Sequence, residues 1–317
     1  MTDTQNEVFK MPVNKIRLFE HGAPGSQNLK LTRKYYTEDM PDGRVKHIVQ
    51  NITDPDIVPY IPDGIGNSTD RQRIPAVLII PGGAFRRLVY NFEGEDVAKW
   101  LNSMGIAAFV LECRLPSDEH DNAEDVPLID AMRAMRVIRG RAQEFGIDEA
   151  KIGVMGFSAG GFMAALLSTA YESDVYADYK YKDEYDKLSA RPDFAVCSYP
   201  VISIDDCIEA GKRYMSEEQV LERISDGKAK ILHKYNPDKL VRPDMPPVFI
   251  CETDDDRTTL SENSVGFYMA ARKAGVSAEL HIFRTGGHGY GCGDDFAQTG
   301  EWKVLFTKWI KSIGIIS

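Results

Sequence analysis

No stretch of the chain reaches the roughly 18 apolar residues that a membrane-spanning helix needs. The longest apolar runs, such as Ala76–Ile80, are strand-sized. Residues Met1–Lys10 are polar and carry two acids, with no basic start leading into an apolar segment. No secretory leader is therefore read, and a cytoplasmic location is expected. Cysteine is scarce and unpatterned: Cys113, Cys197, Cys207, Cys251 and Cys292 make an odd number, widely spaced and without a C-x-x-C pair. Such thiols fit a reducing compartment and indicate neither a disulfide framework nor a zinc site. An excess of positive charge is also missing. A formal net charge of −10 argues against nucleic acid as a partner and against docking on an anionic membrane face. Repeats, low-complexity tracts and dividing linkers are absent, so residues 1–317 are expected to form one unit. Two N-x-S/T triplets, Asn51-Ile52-Thr53 and Asn67-Ser68-Thr69, are taken as inert without a leader.

What is present is an ordinary globular composition, 43% hydrophobic, arranged in alternating elements. Residues 1–70 are rich in Pro, Gly, Asn and Asp with short extended runs such as Val45–Ile52, and predict antiparallel hairpins and loops. From Ala76 the texture changes. Ala76–Ile80, Ile106–Leu111 and Lys151–Met155 are continuous apolar runs, as strands buried on both faces should be. Phe194–Ser198, Val248–Glu252 and Ala278–Phe283 supply later strands. Helices are predicted over Gly94–Met104, Val126–Phe145 and Ala159–Ala170. Within the second of these, Arg133, Arg136 and Arg139 are expected on a solvated face. Strands alternating with helices imply an α/β fold with a largely parallel sheet. Tyr171–Arg191 and Asp205–Tyr235 break the alternation and are expected to be insertions over the sheet's carboxyl edge, where ligands bind in open α/β folds.

One motif carries chemistry in its required context. Gly156-Phe157-Ser158-Ala159-Gly160-Gly161 follows a buried strand and opens a helix, the setting of a nucleophile elbow. Small residues two before and two after the serine let strand and helix backbones pass, and the helix N-terminus places amides near a developing oxyanion. A serine hydroxyl needs a base. Among six histidines, His288 stands apart in Gly286-Gly287-His288-Gly289-Tyr290-Gly291, just after the last predicted strand. His281 on that strand is read as a surface or satisfied residue, and His120, between acids, as part of an acidic surface loop. The acid should follow the strand Val248–Glu252, where Asp254-Asp255-Asp256 leaves the choice open. Gly82-Gly83-Ala84, after the first buried strand, is a candidate oxyanion loop: Gly83 or Ala84 would supply one amide and Ala159 the other.

Read together, these motifs resemble the esterase branch of the α/β-hydrolases, particularly the acetyl-esterase and feruloyl-esterase-like enzymes that deacylate plant polysaccharides. The resemblance runs from about Pro75 to the C-terminus. Pro81-Gly82-Gly83-Ala84-Phe85, Trp100-Leu101-Asn102, Cys113-Arg114-Leu115-Pro116, the elbow, Thr253–Asp256 with Glu262-Asn263-Ser264, and Gly287-His288-Gly289 carry it. It implies a serine esterase without metal or cofactor, acting on a small-molecule or oligosaccharide ester. Relatives often read Thr-Ala-Asp-Asp at the acid loop. Laid over this chain without gaps, their catalytic aspartate falls on Asp255. Two departures are visible: Pro81 replaces the histidine of related lipases, and Arg257-Thr258-Thr259-Leu260 stands where relatives often have Val-Pro. The expected site is thus Ser158, Asp255 and His288, with Gly83, Ala84 and Ala159 around the oxyanion. A peptidase, an acyltransferase and an inactive binding protein on the same fold are the competing readings.

Overall fold

The apolar runs form the middle of a sheet. In the computed structural model, which describes residues 9, 14–65, 73–213, 216, 218–219, 228–293 and 297–317, they become β5 (Ile74–Ile80), β7 (Ala107–Glu112), β8 (Ile147–Phe157), β9 (Ala195–Ser198) and β10 (Val248–Thr253). With β11 (Ala278–Phe283) at the edge, these six strands run parallel in the order β7-β5-β8-β9-β10-β11. Beyond β7, the strands β4 (Asp56–Tyr60) and β1 (Ile16–Arg17) extend the sheet antiparallel. The N-terminal region also forms a small antiparallel sheet of β2 (Lys34–Asp39), β3 (Val45–Gln50) and β6 (Leu88–Val89). Every residue of β7, β9 and β10 is buried, so both faces must be covered.

Helices supply that cover. On α1 (Asp96–Ser103) and α7 (Ala297–Ser312), Trp100 meets Trp302 and Phe306 with ring centroids 4.9 and 5.4 Å apart. Phe306 and Trp309 then reach Phe249 of β10. A second pair, α2 (Val126–Gly140) and α4 (Ala159–Ala170), packs together. The helix expected through Phe145 breaks after Gly140, and a short α3 (Ala142–Phe145) ends at Gly146, which is left-handed at φ 66°. One apolar cluster runs from Leu18 to Ile315. Cys113, Cys197, Cys251 and Cys292 are buried. Among the described residues, no helix is long and apolar enough to cross a membrane.

The insertions differ from expectation. Arg133 is buried rather than solvated, and pairs with Asp183 and with Asp186 at 3.1 Å. Arg136 bonds Leu188 O (3.0 Å) and the Tyr176 hydroxyl, and Arg139 bonds Arg191 O (2.9 Å) and Asp193 (3.1 Å). The three arginines therefore strap residues 176–193 along the outside of α2. Tyrosines of this segment serve the strap: Tyr176 donates to Asp186 (2.8 Å) and Tyr179 to Gly22 O (2.8 Å), while Tyr171, at the end of α4, donates to Asp244 (2.7 Å). Charge pairing across the helix surface outweighs the tendency of a polar stripe to face water. The second insertion contains two helices, α5 (Ile204–Lys212) and α6 (Lys228–Lys234). Lys234 and Tyr235 bind Asp125, at the start of α2. Residues 220–227, and the triplet Asn67-Ser68-Thr69, lie outside the described residues.

Candidate active site

Strand β8 ends at Phe157 and α4 begins at Ala159, so Ser158 alone makes the turn, with φ 53° and ψ −118°. A side chain in such a region costs roughly 1–3 kcal/mol and persists only where neighbours impose it. They do so here. Ser158 N donates to Ser198 O on β9 at 3.0 Å, and Ser158 O accepts from Phe162 N at 3.0 Å. A Cβ on Gly156 would stand 1.9 Å from Gly160 O, and one on Gly160 would stand 1.9 Å from Ile80 O. Strand and helix backbones thus meet where only hydrogen fits.

The loop after β11 brings His288 to this serine, with Nε2 2.8 Å from Ser158 Oγ. Its Nδ1 lies 2.6 Å from Asp256 Oδ2. One tautomer satisfies both contacts: Nδ1–H donates to the carboxylate, and the Nε2 lone pair faces the hydroxyl. The carboxylate on the ring is therefore Asp256 and not Asp255, which corrects the ungapped comparison. The reason is the course of the chain. Asp254 N still donates to Phe283 O (2.8 Å), extending the β10–β11 ladder, and the turn comes only when Asp256 N bonds Thr253 O (3.3 Å). Asp256 then points inward, 1% exposed. Its Oδ1 accepts Thr258 N (2.7 Å) and Thr259 N (3.0 Å), and its Oδ2 accepts Thr259 Oγ1 (2.9 Å). Asp255 faces solvent and accepts Gly287 N at 2.8 Å, which holds the histidine loop from outside. Burial alone would raise the Asp256 carboxyl. The His288 hydrogen bond and charge, with the two threonine amides, outweigh burial and hold it below the ordinary carboxylate value.

The candidate oxyanion loop lies against the serine. A Cβ on Gly82 would be 2.9 Å from Ser158 Cβ. Gly83 turns at φ 137°, and Ala84 and Phe85 are both left-handed, at φ 59° and 60°. Ala159 is the first residue of α4, and its amide belongs to the first helical turn, whose N–H groups have no intrahelical partner. Beside these residues runs a narrow apolar recess lined by Pro81, Phe85, Leu115, Pro116, Ala159 and Met163.

Two residues at this site escape a sequence reading. Glu93 is 5% exposed and accepts from Gly82 N (2.7 Å) and from the Tyr199 hydroxyl (2.9 Å). Burial pushes its carboxyl up. Tyr199 stands edge-on to His288, ring centroids 5.1 Å apart. In sequence, Glu93 is one of several polar residues before α1 and looks like an acid placed for the helix N-terminus. The other histidines are elsewhere. His281 bonds Glu279 at 2.7 Å on the edge strand. His120 is buried rather than in a surface loop, with Nδ1 3.0 Å from Ser26 Oγ. Among the described residues no group of three His, Cys, Asp or Glu side chains is arranged to hold a metal ion.

A parallel sheet that delivers a serine through a strained turn, with an acid after β10 and a histidine after β11, has the architecture of the α/β-hydrolases. Comparison with known proteins narrows this: the BD-FAE family model matches residues 65–270, and the chain belongs to that family. It is 31% identical over 240 residues to an acetylxylan esterase of Xylanibacter ruminicola, an alignment covering 75% of this chain and 45% of that protein. The chain thus spans less than half the length of this relative. Among solved structures, an acetyl ester-xyloside bifunctional hydrolase from Caldicellulosiruptor lactoaceticus is 35% identical, with a TM-score of 0.70 over 96% of this chain and 97% of that one. A thermophilic esterase from Thermogutta terrifontis with butyrate bound is 25% identical, with a TM-score of 0.65 over 83% of this chain and 91% of that one.

Proposed function

We propose that the protein is a serine carboxylic-ester hydrolase that removes short acyl groups of the acetyl type, with carbohydrate esters as the substrate class. The observation that carries this reading is the unbroken chain Ser158–His288–Asp256, with contacts of 2.8 and 2.6 Å. Ser158 Oγ attacks the ester carbonyl while His288 Nε2 takes its proton. Asp256 holds the tautomer and stabilises the imidazolium. Ala159 N, with Gly83 N or Ala84 N, receives the developing oxyanion. The imidazolium then protonates the departing alcohol, and water, activated by the same histidine, releases the acid from Ser158. The names of the relatives, an acetylxylan esterase and an acetyl ester-xyloside bifunctional hydrolase, support an acetyl-type group on a carbohydrate ester.

The test joins labelling to turnover. A fluorophosphonate is expected to add one covalent label at Ser158, seen by intact mass and absent from Ser158→Ala. On p-nitrophenyl esters of rising length, kcat/KM is expected to be highest at acetyl, and acetylated xylo-oligosaccharides should release acetate. A label that survives Ser158→Ala removes the nucleophile assignment. A steady rise in kcat/KM through octanoyl removes the short-acyl assignment.

A further inference from the structure

We propose that Glu93 is a positioning residue for acyl transfer, tying the oxyanion loop to the histidine loop through one buried carboxylate. The inference rests on the esterase reading above. Its geometric basis is a directed chain of hydrogen bonds. Gly291 N–H donates to the Tyr199 hydroxyl oxygen at 3.1 Å, and that hydroxyl donates to Glu93 Oε1 at 2.9 Å. From the other side, Gly82 N–H donates to Glu93 Oε2 at 2.7 Å. Both carboxylate oxygens accept, and each donor points inward, which is the pattern an ionised carboxylate satisfies.

Each end of this chain touches groups that the reaction uses. Gly82 lies so close to the nucleophile that an added Cβ would meet Ser158 Cβ at 2.9 Å and Glu93 Oε2 at 2.8 Å. Gly291 closes the glycine-flanked loop that carries His288. Tyr199, between them, is clamped through its main chain. Its φ is 37°, its N donates to Cys251 O at 2.7 Å, and its O accepts Thr259 Oγ1 at 3.3 Å, from the threonine that also serves Asp256. One carboxylate therefore fixes the spacing between the loops after β5, β9 and β11. That spacing sets how the oxyanion donors stand relative to the base. A fault in it acts on the transition state, where charge develops, more than on substrate binding. Burial raises the Glu93 carboxyl while the charge on His288 lowers it. The negative charge is thus best tolerated at the moment the imidazolium forms.

Glutamine at this position keeps the size but can accept through one oxygen only, and it turns an NH2 group toward the other donor. Glu93→Gln, Tyr199→Phe and the double variant of the full chain are to be compared with wild type for kcat and KM on p-nitrophenyl acetate, with thermal melts alongside. Each single variant is expected to lower kcat about 10- to 100-fold, the size of an ångström-scale misplacement, with KM changed less than about threefold. The double variant should be no worse than the poorer single one, because both changes cut one chain. Single variants that keep wild-type kcat, losses that appear only in KM, or losses that multiply in the double variant would each overturn the proposal. If Glu93→Gln does not fold, the same split in Tyr199→Phe decides. A wild type that turns over no ester fails the esterase reading and this inference with it. An active wild type that Glu93→Gln leaves intact fails the inference alone.

Discussion

Replacing Asp256 by asparagine tests the site most sharply, because the structure dictates which way the amide must turn. Asp256 Oδ1 accepts two backbone amides, Thr258 N at 2.7 Å and Thr259 N at 3.0 Å. In Asp256→Asn the oxygen has to stay on those donors, since an NH2 group there would face two N–H groups. The NH2 then falls where Oδ2 was, 2.6 Å from His288 Nδ1. It can only donate, so Nδ1 must accept and the ring proton moves to Nε2. That proton now faces Ser158 Oγ, and the base is lost. A wrong tautomer of this kind in a Ser-His-Asp triad costs about 10⁴ in kcat, or about 5 kcal/mol of transition-state stabilisation. Asp255→Asn keeps an oxygen for Gly287 N and should stay within about fivefold of wild type, as surface changes do. Initial rates on p-nitrophenyl acetate at pH 7.5, with melts to confirm folding, measure both. A crippled Asp255→Asn, or an Asp256→Asn within about tenfold of wild type, would refute the tautomer argument.

Two further outcomes follow from the same contacts. Asp256 has its folded value held below its unfolded one, so its contribution to stability is present above about pH 4 and is lost as pH falls through the folded value. The melting-temperature gap between wild type and Asp256→Asn, followed from pH 7 to pH 3, should narrow only at the acid end; a gap that closes by pH 6 would contradict this. Arg133→Met should cost about 2–4 kcal/mol in urea unfolding, because it leaves Asp183 and Asp186 without their shared guanidinium, and should speed proteolysis within residues 171–191; an unchanged midpoint would mean the strap is not what holds that segment.

Strands and elbow were legible because their physics is local. A run such as Ala76–Ile80 is apolar at every position, and a strand buried on both faces tolerates nothing else. Gly156 and Gly160 flank Ser158 because strand and helix collide at any larger residue, a constraint written at fixed spacing. His288 showed through its glycines. The acid did not, since three adjacent aspartates differ only in where the ladder ends and the turn begins, and that is set by the partner strand β11. A weak cue existed: Asp256 is followed by Thr258 and Thr259, whose amides its side chain accepts, an Asx-type turn. Glu93 and the arginine strap were hidden for a related reason. Their burial depends on segments far away in sequence, Tyr199 for one and Asp183 with Asp186 for the other. Helical periodicity marks Arg133 as polar and carries no information about a segment some fifty residues later that covers it.

Seven non-glycine residues among those described have left-handed backbones, and four of them, Ala84, Phe85, Ser158 and Tyr199, surround the reacting groups. The rest of the fold holds this strain in place, so resilience and turnover pull against each other at these positions. Glycine at position 84 would relieve the local cost by roughly 1 kcal/mol. It would also loosen the loop that carries the proposed oxyanion donors. Variants selected only for heat tolerance should therefore accumulate relaxing changes here and lose rate, whereas variants selected for rate should leave these four residues tense and gain their robustness in distant places such as the contacts around α2.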